Sequence, residues 1–342
     1  MGQAARQVLA DSDAAFPVLV SKIKLTWRCN LRCRVCALWR IKDPVDALSP
    51  EMVDTILRRL QNRGLRKVHF SGGEILLRPD WPQIVTAARE LGLQVNVTTN
   101  GTLLDKEAAK VMVDSRVHTV AFSVDEISPK RHDAMRGVDG AWHDCWKGVE
   151  KLRARKESKG RGPVIAVNTV VTRRNIDRLP DMHTLFRERG VERWRLLPVR
   201  TREKKLRPTA EQWAEARKFW PEFEDILDRD LAGRRSDRDA RRAAKGRFAG
   251  TTFDDHVCFA PWFSVFVDAD GSVFPCCTGR RKMPSYGSVL DSDVTEALIS
   301  RPRREITSSM TSGHEFDVCR SCDEFLVENE AFARAAEKEE TA

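Results

Sequence analysis

Three thiols fall close together in Cys29-Asn-Leu-Arg-Cys33-Arg-Val-Cys36. Thiolates are the usual ligands of iron–sulfur clusters. A four-iron cubane held by three protein thiolates keeps one iron open to a small molecule that chelates through an amine and a carboxylate. Zinc normally takes four ligands, often from paired C-x2-C motifs, and no fourth Cys or His stands near this loop. A second group lies in the last quarter: Cys258, Cys276, Cys319 and Cys322, spaced Cys258-x12-Gly271-x4-Cys276 and then Cys319-Arg-Ser-Cys322. Four thiolates suffice for a second [4Fe–4S] cluster, although the terminal C-x2-C pair taken alone also suits a zinc ribbon. Cys277 directly follows Cys276. Its thiol could give a hydrogen atom to a substrate radical, replace Cys276 as ligand, or serve as a small buried residue. Cys145 stands alone in a helical stretch and reads as a core residue.

The elements that must position these thiols alternate in type. Residues 18–27, 67–71, 94–99, 119–124, 164–171 and 193–198 are short, apolar and β-prone. Between them lie helical patterns at 50–60, 81–91, 105–114, 141–158 and 176–189. Ser49-Pro50 and Asp105 read as helix starts, and Val53, Ile56, Leu57 and Leu60 recur at helical spacing. This order predicts βα units and a parallel sheet. Ligands of such sheets gather at the C-terminal ends of the strands. The three clustered cysteines follow the first strand, Ser71-Gly72-Gly73-Glu74 the second and Thr98-Thr99-Asn100-Gly101 the third. Ser123-Val124-Asp125 ends the fourth, so all four polar stretches fall on one rim. Residues 264–267 and 272–274 flank Asp268-Ala269-Asp270-Gly271, a hairpin pattern.

The C-x3-C-x2-C spacing, joined to these rim motifs, resembles the radical S-adenosylmethionine (SAM) superfamily over residues 18–198. The resemblance implies an α/β fold: a partial (β/α)6 TIM-like barrel with a small C-terminal cysteine-rich twitch domain, the short form of the SPASM extension. It divides the chain into an N-terminal arm (1–17), the barrel (18–198), a helical connector (199–252), the auxiliary-cluster domain (253–330) and a charged tail (331–342). It implies that Cys29, Cys33 and Cys36 hold the [4Fe–4S] cluster that binds and reductively cleaves SAM to a 5′-deoxyadenosyl radical. Cys258, Cys276, Cys319 and Cys322 would then hold a second, auxiliary [4Fe–4S] cluster. Gly72, Gly73 and Glu74 look like the family's GGE stretch, whose backbone meets the amino group of SAM. Ser123 and Asp125 match the polar strand end used near its ribose or methionine part, and Asn100 sits within reach of the same cofactor. Arg136, in His132-Asp-Ala-Met-Arg136-Gly, and Arg195 fall where rim or barrel residues are expected and could bind a carboxylate, the plainer reading of each alone being an exposed surface arginine. In sulfatase-maturing relatives an Asp thought to be a base occupies the position of Cys277, which makes this thiol the catalytic candidate. Val35 departs from the pattern, since the family usually has an aromatic residue there.

Composition limits the function classes. The chain has 342 residues, 41% hydrophobic and 32% charged, with a net charge of +9, as for a folded globular protein. No apolar run approaches the length of a membrane span, and the N-terminus lacks a secretory pattern, so a cytoplasmic location is expected. Nine cysteines in a reducing compartment argue for metal ligation rather than disulfides. The basic block 234–247 has no interleaved aromatics and gives no support to nucleic-acid binding. The basic charge favours an acidic substrate or redox partner, with a flavodoxin or ferredoxin as the electron donor implied by the family. About twenty residues precede the first strand, too few for a leader-binding domain. The expectation is therefore a small carbohydrate-, aminocyclitol- or nucleoside-like substrate that is oxidised, epimerised, decarboxylated or dehydrated in natural-product biosynthesis. The alternatives are a radical SAM peptide maturase and, in another class, a zinc-binding nucleic-acid module.

Overall fold

The computed structural model describes residues 17–227, 237–248, 258–312 and 316–322. Most of the expected N-terminal arm, parts of the connector, the start of the second unit and the charged tail lie outside these residues.

Six strands alternate with helices: β1 (Val20–Thr26), α1 (Pro50–Gln61), β2 (Lys67–Gly72), α2 (Trp81–Glu90), β3 (Gln94–Thr99), α3 (Lys106–Asp114), β4 (Thr119–Ser123), α4 (Pro129–Arg136), α5 (Ala141–Lys159), β5 (Val164–Val171), α6 (Leu179–Glu188) and β6 (Arg193–Pro198). Local chemistry starts the helices where the sequence predicts. The Ser49 hydroxyl accepts from Met52 N with Pro50 in the first turn, and the Asp105 carboxylate accepts from Ala108 N. Such caps satisfy amide donors that have no partner inside the helix.

The strands run parallel in the order β6-β5-β4-β3-β2-β1, the six parallel strands of the α/β fold expected from the sequence. Each strand alternates between two faces. One face carries Ile23, Leu25, Val68, Phe70, Val95, Val97, Val120, Phe122, Ile165, Val167, Trp194 and Leu196, all buried. These residues share one core with Val53, Ile56, Leu57 and Leu60 of α1 and with the apolar stripes of the other helices. The opposite, inner face holds Lys22, Lys24, His69, Ser71, Asn96, Thr98, Ser123, Asn168 and Arg195, each half-buried. Parallel strands covered on both faces are apolar throughout; this alternation marks an inner face not covered by helices.

After β6 the chain forms α7 (Ala210–Ala216), capped by a reciprocal Thr209–Gln212 pair. A 3₁₀ segment follows at Arg217–Phe223, with Pro221 inside it. Proline has no amide donor and breaks the α-helical ladder. The basic block contains α8 (Asp237–Ala244), which buries Ala240 and Ala243.

The C-terminal part begins with α9 (Ala260–Phe263), β7 (Ser264–Val267) and β8 (Ser272–Phe274), followed by β9 (Gly287–Ser288), α10 (Val294–Ala297) and α11 (Arg301–Thr311). β7 and β8 form the expected antiparallel hairpin, with Gly271 at φ +83° in its turn. β7 also pairs in parallel with β1, Val20 opposite Ser264 through Ile23 opposite Val267. The sheet therefore runs on to nine strands, β6-β5-β4-β3-β2-β1-β7-β8-β9.

Candidate active site

The loop that carries the first three cysteines is held from three sides. Leu31, 2% exposed, anchors it in the protein. The Trp27 indole N–H donates to Asp268 Oδ1 at 2.8 Å, tying the loop to the β7–β8 turn. On the far side Arg32 N donates to Arg136 O and Arg34 N to Met135 O, both at 2.9 Å, so the end of α4 lies along the loop backbone. Gly137 follows at φ +72°, and a Cβ there would lie 2.4 Å from Arg32 O. The sulfurs of Cys29 and Cys36 accept from Leu31 N and Leu38 N at 3.4 and 3.5 Å. Burial pushes the free Cys29 thiol up to about 11. It raises Cys33 as well, against the pull of Arg136. Cys29 is raised further by the nearby charges of Glu74, Cys33 and Cys36. Metal binding would deprotonate them.

The Gly72-Gly73-Glu74 stretch packs on this loop. Gly73 N donates to Thr26 O at 2.8 Å and Glu74 N to Arg28 O at 2.7 Å. A Cβ on Gly73 would stand 2.1 Å from Arg28 O, and one on Gly72 would stand 2.8 Å from Thr26 O. The sequence reading ascribes these glycines to the close approach of a ligand; the contact the structure makes here is backbone on backbone. The Glu74 carboxylate is fully buried. It accepts from Thr99 Oγ1 and Asn100 N, each at 2.7 Å, and from Leu76 N at 3.1 Å. Burial raises its pKa and these donors oppose the rise. Asn100 donates through Nδ2 to Asn30 Oδ1 at 2.8 Å and accepts from Thr102 N, so the third rim motif also touches the cysteine loop.

At the fourth strand end Ser123 is half-buried on the inner face. Asp125 is buried, and its carboxylate accepts from Val170 N at 2.9 Å and pairs with Arg136 Nη2 at 2.8 Å. Arg136 Nη1 lies 3.8 Å from Cys33 Sγ, and its buried Nε has no hydrogen-bond partner among the described residues. Asp125 and Arg136, singled out separately in the sequence, are thus one ion pair under the cysteine loop. His132 Nδ1 accepts from Asp125 N at 3.3 Å. Burial and Arg136 push the imidazole down to about 2, so it is neutral.

The second cysteine group gathers at the other end of the hairpin. Cys276 Sγ accepts from Gly279 N at 3.2 Å. Its thiol is raised far above its ordinary value by burial and by Cys277, Cys322 and Cys258. Cys319 lies one short 3₁₀ turn before Cys322, whose N donates to Cys319 O at 2.9 Å. Thr278 Oγ1 is 3.9 Å from Cys322 Sγ. Cys277 is set apart by its contact with the inner face, where Lys22 Nζ donates to its sulfur at 3.8 Å. Among the described residues no three His, Cys, Asp or Glu side chains converge as the ligands of one metal ion. Cys145 is fully buried beside Gly101 and is pushed up to about 12.

Sequence reasoning did not single out Lys22, Lys24, Asp268 and Arg280. Their signals were two lysines in an otherwise apolar strand and an acid in the turn. Arg195 lies on the inner face, as its alternation with Trp194 and Leu196 requires. The described residues contain no helix long and apolar enough to cross a membrane.

Comparison with known proteins agrees with this layout. The radical SAM superfamily model matches residues 23–185, and the iron–sulfur cluster-binding SPASM model matches 258–323. The chain is 29% identical over 330 residues to a PqqA peptide cyclase of Streptomyces rochei, covering 88% of this chain and 80% of that protein. It is also 29% identical over 174 residues to an AdoMet-dependent heme synthase of Oleidesulfovibrio alaskensis, covering 51% of this chain and 43% of that protein. Among solved structures, Streptococcus suis SuiB bound to its precursor peptide SuiA superposes with a TM-score of 0.69 at 15% identity, over 93% of this chain and 74% of that one. The AdoMet-bound anSMEcpe superposes with 0.65 at 17% identity, over 94% and 95% of the two chains. The two models, each matched around one of the cysteine groups, place the chain in the radical SAM superfamily, as an enzyme with a SAM-binding [4Fe–4S] cluster and a C-terminal SPASM domain for an auxiliary iron–sulfur cluster.

Proposed function

We propose that the protein is a radical SAM enzyme that modifies a peptide. The observation that carries this reading is the similarity to a PqqA peptide cyclase, which extends over 330 residues and covers 88% of this chain. The similarity to a heme synthase covers 174 residues. A peptide substrate therefore has more support than the carbohydrate-like small molecule expected from the sequence.

The residues have the following roles in this reading. Cys29, Cys33 and Cys36 hold the first cluster and leave one iron for SAM. When bound and reduced, that pair supplies a radical able to take hydrogen from an unactivated carbon. Gly72, Gly73 and Glu74 lock the cysteine loop to β2 and present backbone toward SAM. Asn100 and Ser123 face the same rim. Asp125 holds Arg136 beneath the loop, where the guanidinium sets positive charge against Cys33 and would favour the negative end of a SAM bound there. Cys258, Cys276, Cys319 and Cys322 hold the auxiliary cluster. Cys277, whose sulfur accepts from Lys22 on the inner face, exchanges a proton or hydrogen atom with the substrate in this reading. A small acidic flavodoxin or ferredoxin supplies electrons to the basic surface.

Anaerobic reconstitution with iron and sulfide tests this. About eight irons per chain are expected, falling to about four in the Cys29/Cys33/Cys36→Ala variant. With dithionite and SAM, the peptide encoded by a short reading frame beside the gene should accelerate 5′-deoxyadenosine release and change mass. Release of 5′-deoxyadenosine with that peptide unchanged, while a sugar or porphyrin is turned over, would overturn the peptide reading.

A further inference from the structure

None of the nine strands carries an Asp or a Glu, whereas the inner face presents Lys22 and Lys24 of β1 and Arg195 of β6. Register places these side chains on one side: Lys22 lies opposite His69 and Phe266, and Lys24 opposite Ser71. The Lys24 ammonium rests over the Phe266 ring, 5.7 Å from its centroid. No carboxylate reaches it within salt-bridge distance among the described residues. The acid whose charge it feels most is Asp268. That carboxylate is already engaged by the Trp27 indole, by Ala269 N and by the Arg280 guanidinium. Lys24 also feels the charges of Cys36 and Cys277. It lies on the same inner face as Lys22, whose ammonium contacts Cys277. A cation removed from water without a partnering anion is costly, and burial and Arg280 accordingly depress its pKa. A carboxylate arriving with the substrate would relieve that cost. Two lysines on adjacent inward positions give it a charge-assisted site.

We propose that Lys22 and Lys24 form the recognition site for a substrate carboxylate, so that the modified peptide segment contains a glutamate or aspartate side chain. The carboxylate site stands on the inner face alone; that the acid belongs to a peptide rests on the function proposed above.

The test uses the reconstituted holoenzyme with SAM and saturation-transfer NMR of four probes: N-acetylglutamate amide, N-acetylglutamine amide, N-acetylphosphoserine amide and glucuronate. The glutamate probe should bind at least about 10-fold more tightly than the glutamine probe, as a charged hydrogen-bonded contact warrants. Lys24→Gln and Lys22→Gln should each erase that preference, and Lys24→Arg should restore part of it. Iron and sulfide content certifies that each variant is loaded. Equal binding of the glutamate and glutamine probes, no binding of either, or tighter binding of the phosphoserine probe overturns the proposal. So does a Lys24→Gln variant that keeps the preference but shifts a cluster's midpoint potential, since the lysine would then serve the cluster. Lysine-dependent binding of glucuronate without the glutamate probe upholds the carboxylate site and removes the peptide reading.

Discussion

At the scale of single residues, the rim motifs act first on the cysteine loop. Gly73 meets Arg28 O so closely that a methyl group would stand 2.1 Å from it. Gly73→Ala must displace the loop, and iron bound at Cys29, Cys33 and Cys36 should fall by at least half while circular dichroism stays native. His132 offers a titration test. Its pKa is depressed to about 2 from an ordinary 6.5. The unfolded chain therefore binds a proton that the folded one refuses, and this stability is present above pH 6.5 and lost as pH falls toward 2. At pH 5 the loss is about 2 kcal/mol. A His132→Gln variant should show a correspondingly flatter decline in urea midpoint between pH 7 and pH 5. Glu74 works in the opposite sense. Burial raises its pKa, so its contribution is full below the ordinary carboxylate range and weakens as pH rises through its folded value. Glu74→Gln should reduce that alkaline-side loss in the same denaturation series.

At the scale of elements, the β7–β8 hairpin and the cysteine loop are joined through one carboxylate. Asp268 is fully buried and bonds Trp27 of the loop, its own turn and Arg280. Asp268→Ala would leave Arg280 largely buried without its charge partner and the Trp27 indole without an acceptor. A loss of about 3 kcal/mol is expected, measured by chemical denaturation of the apoprotein. Iron should be lost from both cysteine groups in the same variant, because the hairpin places Cys276 and the loop places Cys29. A helix end braces the opposite side: α4 closes on Gly137, whose positive φ and tight approach to Arg32 O set where the loop lies.

At the scale of the molecule, β7 completes the edge of the parallel sheet by pairing with β1. A chain ending at residue 252 would leave the β1 edge unpaired and remove Val265 and Val267 from the core. Unpaired sheet edges template aggregation, and size-exclusion chromatography of that shortened chain should show aggregates where the full chain elutes as a defined species. The same pairing brings Cys277 to the inner face, next to Lys22.

The chain order of residue types already determined the βα alternation, because each strand's apolar set repeats at period 2 and each helix's at about 3.6. Helix starts at Ser49 and Asp105 were equally legible, since capping is settled within four residues. The cysteine spacing named the chemistry for the same local reason. What only the tertiary structure decided depends on partners far apart in sequence. Asp125 and Arg136 became one ion pair, and the glycines of the second rim motif became a contact with residues 26–28. The hairpin read as the start of a second unit became the next strands of the first sheet. Lys22 and Lys24 read as an interruption of an apolar strand until the parallel register put them on the inner face. The substrate class lay beyond the local pattern as well, because a barrel's strands and helices specify a scaffold, and its inner side chains meet the substrate only after the sheet has closed around them.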